Sequence, residues 1–421
     1  MFSFATLDIV PFAGVLISFA LLPGFAPRFW EREMTTISLG WVALNVLITA
    51  VLKSPFAALA ALWSASIADF LPFIALLAAL YALGGGILIE GGPWGRPAGN
   101  LLLLAVGTVL AGVMGTIGAA LLLIHPLLNA NAQRGERRHL ILAFVILVAN
   151  VGGALTPLGD PPLLVGFLRG VPFFWPTIHL FVPMLVIALP VLALTWLVDL
   201  RLSRRAPLPH QGPLRIRGLL NIAMLVVFVI AIAAAGFLPG PTESILSAHI
   251  AEAQIGLTIL SGLVTAVSMW RTPNSIRSRN RFAWEPMREI SVLFFAIFTT
   301  IDPVLHDLAA APLGENPAVW FWLSGLCSAF LDSTPTYLMF FQAAGGNAQH
   351  LIQPPATLLR ALSAGAVLFG ALTYLGNAPN LMIRAIASRR GVRMPGFGGY
   401  LLAASAVLVP LFALETVLFF W

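Results

Sequence analysis

The feature that most limits what this chain can become is a succession of apolar stretches about as long as a bilayer is thick. Hydropathy places helices over 7–23, 35–52, 69–89, 140–168 and 176–198, then over 218–238, 254–270, 290–308, 359–387 and 399–420. A spanning helix needs roughly 20 predominantly apolar residues, and ten such segments leave little chain for anything else. Charged residues are 10% of the 421, against roughly 25% in soluble domains, and mean hydropathy is +0.93. The expected fold is an all-α polytopic membrane protein whose surroundings are the lipid bilayer. The formal charge of +6 then bears on topology rather than on nucleic acid, and no nucleic-acid partner is expected. A single cysteine, Cys327, excludes an intrachain disulfide, and no Cys/His spacing suggests zinc. Leu7–Leu22 lacks a basic leader and a cleavage site, so it reads as a retained first span.

The chain repeats itself at an offset of 217 residues: Gly153-Ala-Leu-Thr-Pro-Leu-Gly-Asp160-Pro-Pro162 aligns with Gly370-Ala-Leu-Thr-Tyr-Leu-Gly-Asn377-Ala-Pro379. The same offset lays Gly112–Leu122 over Ala329–Met339 and Glu90 over Asp307. Residues 1–205 and 217–421 therefore read as two repeats joined by a cytoplasmic linker, 206–216. Two further apolar stretches, about 101–128 and 317–342, are too long for one span and too short for two. If both are re-entrant hairpins, 20 of the 23 Lys and Arg residues fall on one side, leaving Lys53, Arg169 and Arg360 on the other. If both crossed fully, the split would be 15 against 8. The positive-inside rule selects hairpins. Each repeat then has five spans, one hairpin and one broken helix (about 140–168 and 359–387). An odd number of spans inverts one repeat relative to the other and puts both termini outside the cytoplasm. Inverted repeats with broken helices are the architecture of secondary transporters, with the site at the midplane.

Of 17 acidic residues, Asp160 and Asp332 stand apart, because each lies in a cluster of helix breakers within an apolar run. Charges at membrane depth are costly and usually face a functional cavity. Pro157, Pro161, Pro162, Pro335 and Pro379 remove backbone donors and free carbonyls, which are tolerable at that depth only where they line water or an ion. With the hydroxyls of Thr156, Ser333, Thr334 and Thr373 they offer a hard oxygen cage suited to Na+, held by Asp160 and Asp332. Each aspartate could instead simply cap the helix that follows it. Asn377 and Asn380 are open between turn formation and ligation. Thr116, at the tip of the first hairpin, is open between turn residue and ligand. His125 is open between a proton relay and a packed side chain. Trp41, Trp63, Trp175, Trp196 and Trp284 sit near span ends and read as interfacial anchors.

The segments NVGGALTPLGD (Asn150–Asp160), SAFLDSTP (Ser328–Pro335) and SAGAVLFGALTYLGNAPNLMIRAIA (Ser363–Ala387) resemble the ion transporter superfamily. Its members include divalent-anion/sodium symporters, citrate carriers, arsenite permeases and NhaD-type sodium/proton antiporters. The first two segments are most similar to the antiporters, and the third to bacterial sequences labelled citrate transporters or antiporters. The resemblance covers essentially the whole chain. It implies ion or substrate contacts at Asn150, Thr156, Asp160, Asp332, Ser333, Thr373 and Asn377, a homodimer, and a bacterial inner membrane with periplasmic termini. The carboxylate symporters carry Ser-Asn-Thr at both hairpin tips, whereas this chain reads Gly115-Thr116-Ile117 and Asp332-Ser333-Thr334.

Electrostatics favours a cation. No Arg or Lys is placed at the site by sequence, and two carboxylates would repel an anion by around 4 kcal/mol at 4 Å and an effective dielectric near 20. The leading expectation is Na+(Li+)/H+ exchange at Asp160 and Asp332, with no enzymatic activity and no cofactor beyond the transported or coupling Na+. A sodium- or proton-coupled citrate or dicarboxylate carrier of the same fold is the alternative, resting on Thr156 and Asn377. An intramembrane aspartyl protease is remote, since Leu158-Gly159-Asp160 lacks the full Gly-x-Gly-Asp signature.

Overall fold

Apolar helices dominate the computed structural model, which describes residues 7–203, 212–237, 242–245, 248–308 and 314–421. Among these residues, seven helices are long and apolar enough to cross a bilayer: Arg32–Leu52, Pro55–Gly85, Pro97–Met114, Arg138–Leu155, Trp175–Ser203, Glu252–Arg271 and Phe397–Phe420. Shorter apolar helices accompany them, Val10–Pro23 and Leu219–Ala235 among others. Large apolar side chains stand in the open on the outer faces, with Phe56 81%, Trp270 78% and Val51 76% exposed. A soluble protein rarely tolerates so wide an apolar surface, whereas acyl chains cover it without cost. The all-α polytopic class expected from hydropathy is the fold observed.

Several local differences have physical reasons. The third predicted span, 69–89, begins much earlier, at Pro55, through helix Pro55–Ser64 and a π-helical turn, Ala65–Phe70. Ser54 starts it: its Oγ accepts the Ala57 N–H at 3.1 Å, and Pro55 fills the first turn. Two short antiparallel ladders interrupt the helices, Leu88–Glu90 with Arg215–Arg217 and Thr242–Ile245 with Ala248–Ala251. The predicted linker 206–216 lies outside the described residues up to 211, and its end enters the first ladder. Trp175 is not an interfacial anchor: it is 5% exposed and stacks on His179 at 4.4 Å, facing the interior.

Eight helices position the centre. In the first half they are α1 (Pro97–Met114), α2 (Thr116–Ala130), α3 (Arg138–Leu147) and α4 (Pro161–Leu168). In the second half they are α5 (Pro317–Leu331), α6 (Ser333–Ala343), α7 (Thr357–Leu368) and α8 (Ala378–Arg389). α1 packs on α2 and α5 on α6 as two hairpins, each turned at one residue. α3 and α4 are separated by a 3-10 turn, Val151–Leu155, and α7 and α8 by another, Phe369–Leu372. The second arms cross between halves, α6 packing against α4 and α2 against α8. That exchange sets each hairpin's second arm against the helix that follows the other half's break.

Candidate functional site

The tips share one backbone geometry. Gly115 turns the first hairpin at φ +82°, ψ +147°, and Asp332, 217 residues on, turns the second at φ +77°, ψ +148°. Glycine adopts that region freely, but a side chain there costs of order 1–3 kcal/mol. Asp332 stays because neighbours hold it. Its Oδ1 accepts the Thr334 N–H at 3.1 Å, and its carbonyl accepts the Thr336 hydroxyl at 2.8 Å.

Proline and glycine shape the two breaks alike. Asp160 is the extended residue before Pro161 that starts α4, and Asn377 is the extended residue that starts α8. Thr156 Oγ1 donates to the Gly112 carbonyl at 2.5 Å and accepts the Leu158 N–H at 3.1 Å. Thr373 Oγ1 donates to the Ala329 carbonyl and accepts from Leu375 N (3.0 Å) and Gly376 N (3.1 Å). Each threonine thus ties a break to the first arm of its own hairpin. Thr373→Val should strand a carbonyl and two amides without solvent, lowering stability by roughly 1–3 kcal/mol; Thr373→Ser should restore it. Thermal melts of the detergent-purified protein compare the two.

The chain approaches itself closely here. A Cβ on Gly159 would sit 2.3 Å from the Gly153 carbonyl oxygen, and one on Gly376 would sit 2.7 Å from that of Gly370. The Gly159 carbonyl also accepts the Thr116 N–H at 2.9 Å, joining the break to the hairpin tip. Gly159→Ala should therefore force the two apart, an overpacking cost of about 1–3 kcal/mol or more. Its readout is loss of the monodisperse peak in size-exclusion chromatography.

Asp160 is 1% exposed. Its Oδ1 accepts from Asn377 Nδ2 at 2.9 Å and from Thr116 Oγ1 at 3.3 Å, while Oδ2 has no partner. Asn377 Nδ2 also reaches the Ala149 carbonyl at 3.0 Å. Asn150 donates to the Val145 carbonyl and to Asn380 Oδ1, both at 2.8 Å, leaving its own Oδ1 buried and free. Asn380 in turn donates to the Gly370 and Thr373 carbonyls at 2.9 Å. The two breaks are therefore bonded to each other three times, Asn377 to Asp160 and to the Ala149 carbonyl, and Asn150 to Asn380. Ser333 and Thr334 hold buried hydroxyls with no hydrogen-bond partner. Asp332 lies near enough for its charge to act on Asp160.

Thr116, Asn150, Thr156, Asp160, Thr373, Asn377 and Asn380 thus join one network, with Asp332, Ser333 and Thr334 at the neighbouring tip. His125 does not reach it. It lies nine residues along α2 from Thr116, about 14 Å at 1.5 Å per residue, and lines a separate cavity. Tyr337 and Ser363, fully buried between α6 and α7, escaped the sequence reading because lone hydroxyls in apolar helices leave no pattern.

Chemically, the unpartnered oxygens of Asp160, Asn150, Ser333 and Thr334 suit a hard cation. Among the described residues no group of three or more His, Cys, Asp or Glu side chains is placed to hold a metal ion. No Arg or Lys hydrogen bond or ion pair to the network is found among them either. Four helices, α2, α4, α6 and α8, begin at this centre, while α1, α3, α5 and α7 end there. Helix starts carry partial positive charge and helix ends partial negative charge, so the centre offers places for both signs. The profile of a protein family described as "Putative citrate transport" matches residues 2–420. A search of curated proteins returns no match.

Proposed function

The chain belongs to this citrate-transport family within the ion transporter superfamily, and from that premise we propose that it carries a small carboxylate of the citrate class, coupled to H+ or Na+. The observation that carries the proposal is the meeting of four helix starts with two aspartates. At the first tip no side chain caps α2, so beyond the Thr116 N–H, which the Gly159 carbonyl holds, its Ile117 and Gly118 amides are available to a carboxylate. Prolines in the first turns of α4, α6 and α8 withhold donors there, and Asp332 takes the Thr334 N–H, which leaves the first hairpin tip as the better anion cradle.

The aspartates supply the coupling. A carboxylate beside Asp160 and Asp332 meets repulsion of about 4 kcal/mol per pair at 4 Å and an effective dielectric near 20. A proton or Na+ on the aspartates removes that repulsion, so anion and cation favour each other's binding. The electrostatic argument that pointed to cation exchange from sequence thereby becomes an argument for co-transport. Family membership favours the carboxylate, and it gives no support to proteolysis.

In this reading the halves, 1–205 and 217–421, are inverted repeats, and the arginine-rich loops face the cytoplasm. The membrane is the bacterial inner membrane, with both termini periplasmic. A homodimer would form through Val10–Phe25, Pro27–Leu52 and their counterparts, which hold no site residues.

Proteoliposomes decide between the functions. Radiolabelled citrate should accumulate only under an inward H+ or Na+ gradient. A pH dye should show no Na+-evoked proton movement when citrate is absent. Na+-evoked exchange without citrate, and no citrate uptake, would return the protein to cation exchange.

A further inference from the structure

A second polar cavity, about 350 Å3, lies at the far end of α2 from Thr116, lined by Glu90, Trp94, His125, Asn129 and Arg279 among others. Within the lining Glu90 and Arg279 balance, and the surplus positive charge stands around it. The Glu90 carboxylate is engaged by Arg217 at 3.4 Å and by Arg279. Arg390 Nη1 donates to Asn129 Oδ1 at 3.1 Å, and Arg137 Nη2 donates to the Arg390 carbonyl at 2.7 Å. Arg281 lies close enough for its charge to act on both His125 and Arg390. Burial, and then the charges of Arg281 and Arg137, push the Arg390 guanidinium down from its ordinary value. Among the described residues neither Arg281 nor Arg390 forms an ion pair.

One donor and one imidazole nitrogen at this cavity are unused. His125 is 8% exposed, lines the wall, and its Nδ1 has no partner; the Trp94 indole N–H is buried and unpartnered as well. Surplus positive charge in a low-dielectric cleft concentrates anions. The volume lies within the usual range for small-molecule sites, about 300–1,000 Å3. Arginine forks are well matched to carboxylates.

We propose that this cavity is a second anion site that takes a small polyvalent carboxylate at the arginine-rich mouth of the protein, one helix arm from the membrane centre. The choice of carboxylate rests on the functional reading above; the anion site itself does not. His125 is a donor to the bound anion and no relay for Asp160. Glu90 holds two arginines in place and excludes cations from competing, because its oxygens are already occupied.

The test is equilibrium binding of radiolabelled citrate to the full chain in detergent, with inorganic phosphate as competitor. Asp160→Asn should retain binding at this cavity. Combining Arg281→Gln and Arg390→Gln in that background should weaken the retained binding at least tenfold. Arg281→Lys with Arg390→Lys should restore much of it, which separates lost charge from lost fold. In vesicles, the glutamine pair should raise KM for citrate presented to the arginine-rich face and leave kcat unchanged. Binding and KM unaffected by the glutamine pair would overturn the inference while leaving citrate transport standing. Phosphate displacing citrate at equal or lower concentration would overturn the carboxylate choice. If the wild type binds citrate in an Arg281- and Arg390-dependent way yet transports none, the functional reading fails and the anion site remains.

Discussion

Asp160→Asn should leave the protein folded and cut cation-coupled citrate uptake by at least about 100-fold. The fold should survive because asparagine is nearly isosteric and its Oδ1 can still accept from Asn377 and Thr116, the two partners the carboxylate has now. The chain itself supplies a precedent. Asn377, 217 residues on, starts α8 with the same extended backbone with which Asp160 starts α4. What the substitution removes is the negative charge and the free Oδ2 that faces no hydrogen-bond donor. A cation about 4 Å from that charge gains around 4 kcal/mol at an effective dielectric near 20, and each 1.4 kcal/mol is tenfold in affinity. Uptake into proteoliposomes is measured with and without the driving gradient, alongside a thermal melt. Gradient-dependent uptake at the wild-type rate would show that the cation is held elsewhere.

How much of this centre was legible depended on whether a residue leaves a pattern. Proline and glycine clusters within apolar runs announce a break wherever they fall, so both breaks and both hairpin turns stood in the sequence. The 217-residue offset aligned Asp160 with Asn377, and those two residues prove to be bonded directly. If the halves are related by a two-fold axis, as proposed, a residue can touch its own counterpart only close to that axis. The alignment therefore carried more spatial information than a repeat alone suggests. The roles of Thr156 and Thr373 were not legible. Their hydroxyls were expected to face an ion, yet each is spent on a hairpin carbonyl, a pairing that depends on how two segments 44 residues apart come together. His125 sits in the same oily helix as Thr116 but near the end of the hairpin, and its role stayed open, because sequence gives distance along α2 but no destination for its far end. The strand Arg215–Arg217 is too short for any periodicity, and its partner Leu88–Glu90 is fixed only by tertiary packing.

Asp332→Gly should raise the thermal midpoint, or leave it unchanged, while abolishing coupled uptake. Backbone torsions, invisible in sequence, make this the sharper test. At φ +77°, ψ +148° a side chain costs of order 1–3 kcal/mol, and glycine relieves that cost, as Gly115 shows in the same geometry. Opposing it, glycine loses more chain entropy on folding, about 0.4–1 kcal/mol. It also forfeits the cap on the Thr334 N–H, worth only a few tenths when glycine replaces an aspartate. The relief exceeds or matches the losses, and removal of one of two neighbouring carboxylates adds to it. A purely structural Asp332 would have yielded to glycine at this position, as the first hairpin has. Retaining a strained carboxylate where the fold prefers glycine fits the cation-binding role proposed above. Asp332→Asn separates the two effects, keeping the strained side chain but not its charge, so it should lose uptake while its midpoint stays below that of Asp332→Gly. If Asp332→Gly instead melts well below the wild type and still accumulates citrate under a gradient, the carboxylate serves the turn, and Asp160 carries the coupling alone.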